Sequence, residues 1–241
     1  THATALSQLG RNSEAVEVAR AGLASVDRLL QLSPDDSVAL RDRMVPLNRL
    51  GEAQLALGDT KGAVESFKAM VEQGNKLLDL DPYSTSWAND AGFALDRLGS
   101  AQSALGDVAA ALKSHQDALA LRDWLNQQDP SNPDWYRNLA LSHANVATAL
   151  SAREDYEGAL PHQDESLRIM RDLAAAFPDD VWYQIDVVRA LDQRAMLLAD
   201  PTAENQEGLA MLEAMQSAGT LPEGYEDGIT GFRKNLGLPV K

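Results

Sequence analysis

The feature that most constrains this chain is an internal period of 48 residues. Leu50-Gly51-Glu52-Ala53-Gln54-Leu55-Ala56-Leu57-Gly58-Asp59 recurs as Leu98-Gly99-Ser100-Ala101-Gln102-Ser103-Ala104-Leu105-Gly106-Asp107. The same offset links Ala15, Ala63, Ala111 and Ala159, and also Pro34, Pro82, Pro130 and Pro178. Trp87, Trp135 and Tyr183 form a third series, and Asp59, Asp107 and Asp155 a fourth. A unit repeated at fixed spacing buries its apolar face on its neighbours, so the expectation is a stacked array of repeats.

Each period reads as two helices. Two residues after each proline stands Asp36, Ser84, Asn132 or Asp180, a side chain able to accept from unpaired first-turn N–H groups. Pro133 then occupies a first helical position, where its missing N–H costs nothing. This first helix, A, runs to Gly58 or Gly106, where glycine can take the left-handed conformation that ends a helix. Asp59, Asp107 or Asp155 caps the second helix, B, which runs to just before the next proline. Leu47, Leu50, Gln54 and Leu57, repeated as Leu95, Leu98, Gln102 and Leu105, give helix spacing rather than strand alternation.

At these residues the chain resembles the tetratricopeptide repeat (TPR). That family's pattern is Trp-x2-Leu-Gly-x2-Tyr, then Ala-x3-Phe, then Pro. Leu47, Leu50-Gly51, Gln54, Ala63, Phe67 and Pro82 stand in the corresponding places, as do Leu95, Leu98-Gly99, Gln102, Ala111, His115 and Pro130. Two departures stand out: the family tyrosine is replaced by Gln54 and Gln102, and the period is 48 rather than 34. Lengthening each helix by about two turns keeps the apolar faces in phase. The resemblance, to a long-helix bacterial type, implies an all-α fold: a right-handed superhelical solenoid of antiparallel helix hairpins with a C-terminal capping helix. The expected organisation is a repeat solenoid over 1–218 (repeats 1–34, 35–82, 83–130, 131–178 and 179–218), then a cap helix and tail over 219–241.

The ends depart from the pattern. Thr1 to Gly10 aligns with the second half of a helix A, which suggests a preceding segment. The last repeat is broken by Pro201. A short final helix then places Tyr225, Ile229, Phe232 and Leu236 on one side, as a terminal cap requires. Pro46 and Pro161 fall inside helices, and a kink is expected at each.

Composition narrows the function classes. With 21 Lys+Arg against 36 Asp+Glu, the net charge of -15 argues against nucleic acid, whose affinity comes from neutralising phosphates. Cysteine is absent, so neither a thiolate metal site nor a cysteine nucleophile is available. No run approaches the ~20 apolar residues of a membrane span. The start shows no basic-then-apolar leader. A cytoplasmic setting without membrane association is therefore expected. No phosphate loop, dinucleotide fingerprint or nucleophile elbow appears, so neither an enzymatic activity nor a cofactor is expected. His162 and Glu165 could form the edge of a metal site, but two ligands do not make one. Trp87 and Trp135 repeat with the scaffold and read as packing residues, and the methionines as core gap-fillers.

The resemblance implies that helices A line a concave face across which a partner peptide lies. Its motif positions mark Asn48, Arg49, Glu52, Phe93, Asp96, Arg97, Ser100, Asn145, Thr148, Arg189 and Asp192 as partner-binding candidates. The strip is mixed polar and apolar, which suits a binding groove and a solvated helix face alike. Some family members hold a C-terminal carboxylate with Lys and Asn on helices A. Here every lysine (61, 68, 76, 113, 234 and 241) falls in a helix B or the tail, so a neutral or basic partner segment is expected. Two readings follow: a protein-interaction scaffold, or a regulatory module acting on an effector domain of a longer chain. A helical enzyme with an unmarked site is a third, without a residue to support it.

Overall fold

The structure, a computed structural model, describes residue 6 and residues 9–239. Among the described residues the regular structure from Asn12 onward is ten α-helices with no strand. They are α1 (Asn12–Leu32), α2 (Ser37–Ala56), α3 (Thr60–Leu80), α4 (Thr85–Leu105) and α5 (Val108–Gln128), followed by α6 (Pro133–Ser151), α7 (Tyr156–Ala176), α8 (Val181–Ala195), α9 (Thr202–Ala218) and α10 (Glu226–Asn235). Helices A are α2, α4, α6 and α8, which start at residues 37, 85, 133 and 181, 48 apart. Helices α1, α3, α5 and α7 are each 21 residues long, so the added length of the period goes into long helices B as well as A. The half-repeat expected over Thr1 to Gly10 falls mostly outside the described residues, as do His2 and Lys241.

The caps follow the sequence. Asp36, Ser84, Asn132 and Asp180 accept from first-turn N–H groups of α2, α4, α6 and α8. Asp59, Asp107 and Asp155 do the same for α3, α5 and α7. At the A-to-B turns, Gly58 and Gly106 have φ of 79° and 86°. The N–H groups of Asp59 and Asp107 reach back to the Gln54 and Gln102 carbonyls at 2.8 and 2.9 Å, satisfying helix-end acceptors. The third such turn keeps the conformation without the glycine: Glu154 has φ 61°, and Asp155 N–H bonds Leu150 O at 3.0 Å. Pro46 and Pro161 lie inside α2 and α7, which run on uninterrupted past them.

The chain divides into two compact units, Thr1–Gln128 and Asp129–Lys241. In the first, α1 packs on α2, α2 on α3, α3 on α4 and α4 on α5; in the second, α6 packs on α7, and so on in order to α10. The first unit's core includes Leu40, Met44, Leu47, Phe67, Leu77 and Leu98, with Trp87 packed against it. Phe67 is fully buried, which contributes about 2 to 3 kcal/mol. It fits because Gly51 has no side chain: a Cβ there would lie 2.5 Å from the ring. Gly99 and His115 repeat this pairing in the next hairpin, where a Cβ would lie 2.6 Å from the imidazole.

The departure from the family tyrosine has a physical reason. The Gln54 carboxamide and Ser66 hydroxyl hydrogen-bond at 2.6 Å, and Ser114 Oγ donates to Gln102 Oε1 at 2.7 Å. All four residues are buried, so a polar A-to-B tie stands where the family has an aromatic ring. In the second unit, α10 lays Ile229 and Phe232 into a cluster with Ile185, Val188, Leu209 and Leu212, flanked by Tyr225 and Leu236. This is the expected cap. Met196 departs from the core reading of the methionines, being 72% exposed just past the end of α8.

Candidate partner-binding faces

In the first unit, α2 and α4 form a groove of about 470 Å³, lined by Met44, Val45, Asn48, Arg49, Phe93 and neighbouring residues. Met70 of α3 also reaches it. Asn48 is only 8% exposed, and its Oδ1 has no hydrogen-bond partner. A buried acceptor left this way costs about 1 to 3 kcal/mol of desolvation unless something donates to it. Phe93 is 37% exposed. The Arg97 guanidinium lies 4.9 Å from the centroid of its ring. Glu52 binds two arginines at once, Arg49 at 2.7 Å and Arg97 at 3.1 Å. On the rim, Arg41 Nε donates to Asp90 at 2.6 Å. Each of these three arginines is thus held by a carboxylate, and with Asp42 also on the lining the groove is close to neutral.

Other sequence candidates are committed within the protein. Ser100 Oγ donates to the Asp96 carbonyl, and Thr148 Oγ1 to the Ala144 carbonyl, each at 2.9 Å. Asp96 faces helix B: Arg122 of α5 lies 3.6 Å from one carboxylate oxygen, and His115 Nδ1 lies 3.8 Å from the other. Arg122 is 4% exposed and also donates to the Asn89 carbonyl and side-chain oxygens. Burial depresses the pKa of its guanidinium, and Asp96 opposes that shift. A basic residue so deep in an acidic chain was not expected. The sequence offered no sign of it, since the matching places in other repeats are not arginine.

In the second unit, Asn145 is half-buried on α6. Arg189 of α8 is exposed, reaches Asp186 at 3.4 Å and bonds the Tyr225 hydroxyl of the cap. Asp192, one turn on, has no side-chain hydrogen bond or ion pair among the described residues. Burial alone raises its pKa above the usual carboxylate value. The sequence reading missed two further arrangements here. Arg137 grips the 3%-exposed Asp186 through two bonds of 2.6 and 3.1 Å, which raises the arginine pKa. His143 and His162 face each other with Nδ1 atoms 2.9 Å apart, and burial lowers the His162 pKa. Among the described residues no group of three or more His, Asp or Glu side chains is placed to hold a metal. No helix among them is long and apolar enough to cross a membrane.

Residues 94–129, covering most of α4 and all of α5, match the sequence model of the tetratricopeptide repeat. No curated protein sequence matches the chain significantly. Among solved structures, TPR-like repeats of a Podosopora anserina protein described as a kinesin light chain superpose with a TM-score of 0.61. Identity there is 20%, over 91% of this chain and 94% of that one. BtubC (BKLC) from P. vanneervenii superposes with a TM-score of 0.51 at 16% identity, over 95% of this chain and 94% of the other. The chain therefore carries the tetratricopeptide-repeat fold, an all-α array of helix hairpins.

Proposed function

We propose that this chain is a non-catalytic protein-interaction scaffold that binds a neutral or basic partner segment through the exposed faces of its helices A. The observation that carries the reading is Asn48, a buried amide oxygen with no internal partner beside a groove that also exposes Phe93. A backbone N–H of a bound segment would satisfy that oxygen, and the ring offers apolar area next to it. Supporting the charge preference, α2, α4, α6 and α8 contain no lysine, and the groove arginines are already paired. Asn145, Thr148, Arg189 and Asp192 belong to the corresponding faces of the second unit.

The test is binding of the chain to a peptide array spanning neutral, basic and acidic segments. The expected result is retention of neutral and lysine- or arginine-bearing peptides over acidic C-termini. The double variant Phe93→Ala, Arg97→Ala should lose that retention while its melting midpoint stays near that of the parent. A preference for acidic C-termini, or full retention by the double variant, would count against the reading.

A further inference from the structure

The second unit holds a pocket of about 270 Å³ where α10 crosses α8 and α9. Val188, Tyr225 and Phe232 supply apolar wall over buried Leu212. Gly228 lets α10 approach Leu212, where a Cβ would lie 2.9 Å from that side chain, and Gly231 leaves the cap-helix side open. Asp192 is the acidic group on the lining. Its carboxylate is half-buried and unpaired, whereas Arg189 beside it is engaged by Asp186 and Tyr225, with its guanidinium 5.5 Å from the centroid of the Tyr225 ring. The volume falls below the ~300 to 1,000 Å³ typical of small-molecule sites, and is suited to one side chain. Apolar wall beside a lone carboxylate matches an aliphatic stem ending in a compact cation.

We infer that this pocket receives a lysine side chain of the partner segment, with the stem against Val188, Tyr225 and Phe232 and the ammonium on Asp192. Arginine fits less well, because its planar fork asks for a bidentate acceptor and Arg189 borders the same space. The inference builds on the reading of helices A as binding faces, but it concerns one pocket in the second unit. Its failure would leave the groove of the first unit untouched, and the two are read by separate signals.

The experiment is methyl-detected NMR of the intact chain titrated with acetyl-Gly-Gly-Lys-Gly-Gly-amide and its norleucine, arginine and glutamate counterparts. The lysine peptide should shift the Val188 and Leu212 methyls. The norleucine peptide, and the Asp192→Asn chain with the lysine peptide, should each bind about fivefold more weakly, the worth of one partly exposed ion pair. A Cβ at Gly231 meets nothing within 4 Å, so Gly231→Leu should fill the pocket and abolish the shifts without lowering the melting midpoint. Equal affinity for norleucine would reduce the site to an apolar dimple and overturn the inference. Tighter binding of arginine, unchanged affinity in Asp192→Asn, or shifts that persist in Gly231→Leu would also overturn it.

Discussion

Asp96 and Asp192 stand at the same place in the repeat, two periods apart, and meet opposite fates. Asp96 is bridged from helix B by buried Arg122, with His115 Nδ1 3.8 Å away. Asp192 shares a pocket lining with Leu212 of α9 and glycines of the cap, and has no cation on its carboxylate. Helix A phase fixes where each carboxylate emerges. The side chain that helix B sends toward it decides whether the charge becomes part of the core or stays available to a ligand. One scaffold position is thus tied into the packing in the first unit and left unpaired in the second.

The largest test of that contrast is Arg122→Met. It leaves Asp96 and Asn89 without their buried donor and should lower stability by about 3 kcal/mol in urea denaturation. Asp192→Asn should act in the other direction and weakly, because removing an unpaired, partly buried charge relieves a desolvation cost. If both variants destabilise alike, the two carboxylates do not differ in role. Next is Gly51→Ala, which drives a methyl into the Phe67 ring and should cost about 2 kcal/mol. Two periods on, Ala147 and Gln163 replace that pair, so Ala147→Gly should cost only the helix-propensity difference of about 1 kcal/mol.

Glu154→Gly should raise stability by up to about 1 kcal/mol, since a non-glycine residue in the left-handed region is strained. The smallest effect is on pH dependence. Burial holds the His162 pKa below its ordinary 6.5, so the folded state binds that proton less readily than the unfolded chain. The neutral pair with His143 therefore contributes fully above about 6.5, and the contribution is lost as pH falls through the depressed value. The melting midpoint should drop more on mild acidification in the parent than in His162→Ser, which restores the residue found at positions 66 and 114.

Much of the fold was legible because its determinants are local and periodic. Caps at Asp36, Ser84, Asn132 and Asp180, turns at Gly58 and Gly106, and prolines after each helix B recur at one spacing. What could not be read was which partner a polar side chain chooses across a helix pair. Gln54 and Gln102 looked like lost aromatics until Ser66 and Ser114 were placed opposite them, 12 residues on. Arg122 carried no periodic mark, and its depth follows from the acceptors Asn89 and Asp96 on the facing helix. Of the site candidates, Phe93, Arg97, Arg49, Glu52 and Asn48 come together in or beside one groove, while Asp96, Ser100 and Thr148 turn to internal partners.

The arginine–aspartate ties carry a consequence for how such a chain can grow or shrink. Arg41 binds Asp90 and Arg137 binds Asp186, each spanning 49 residues, whereas Asn89 and Asn138 occupy the corresponding places between them. Excising one repeat, residues 83–130, would set Arg41 opposite Asn138 and lose the tie. Excising two, residues 83–178, would set it opposite Asp186 and keep it. By this criterion the tie is kept when copy number changes in steps of two hairpins and lost when it changes by one.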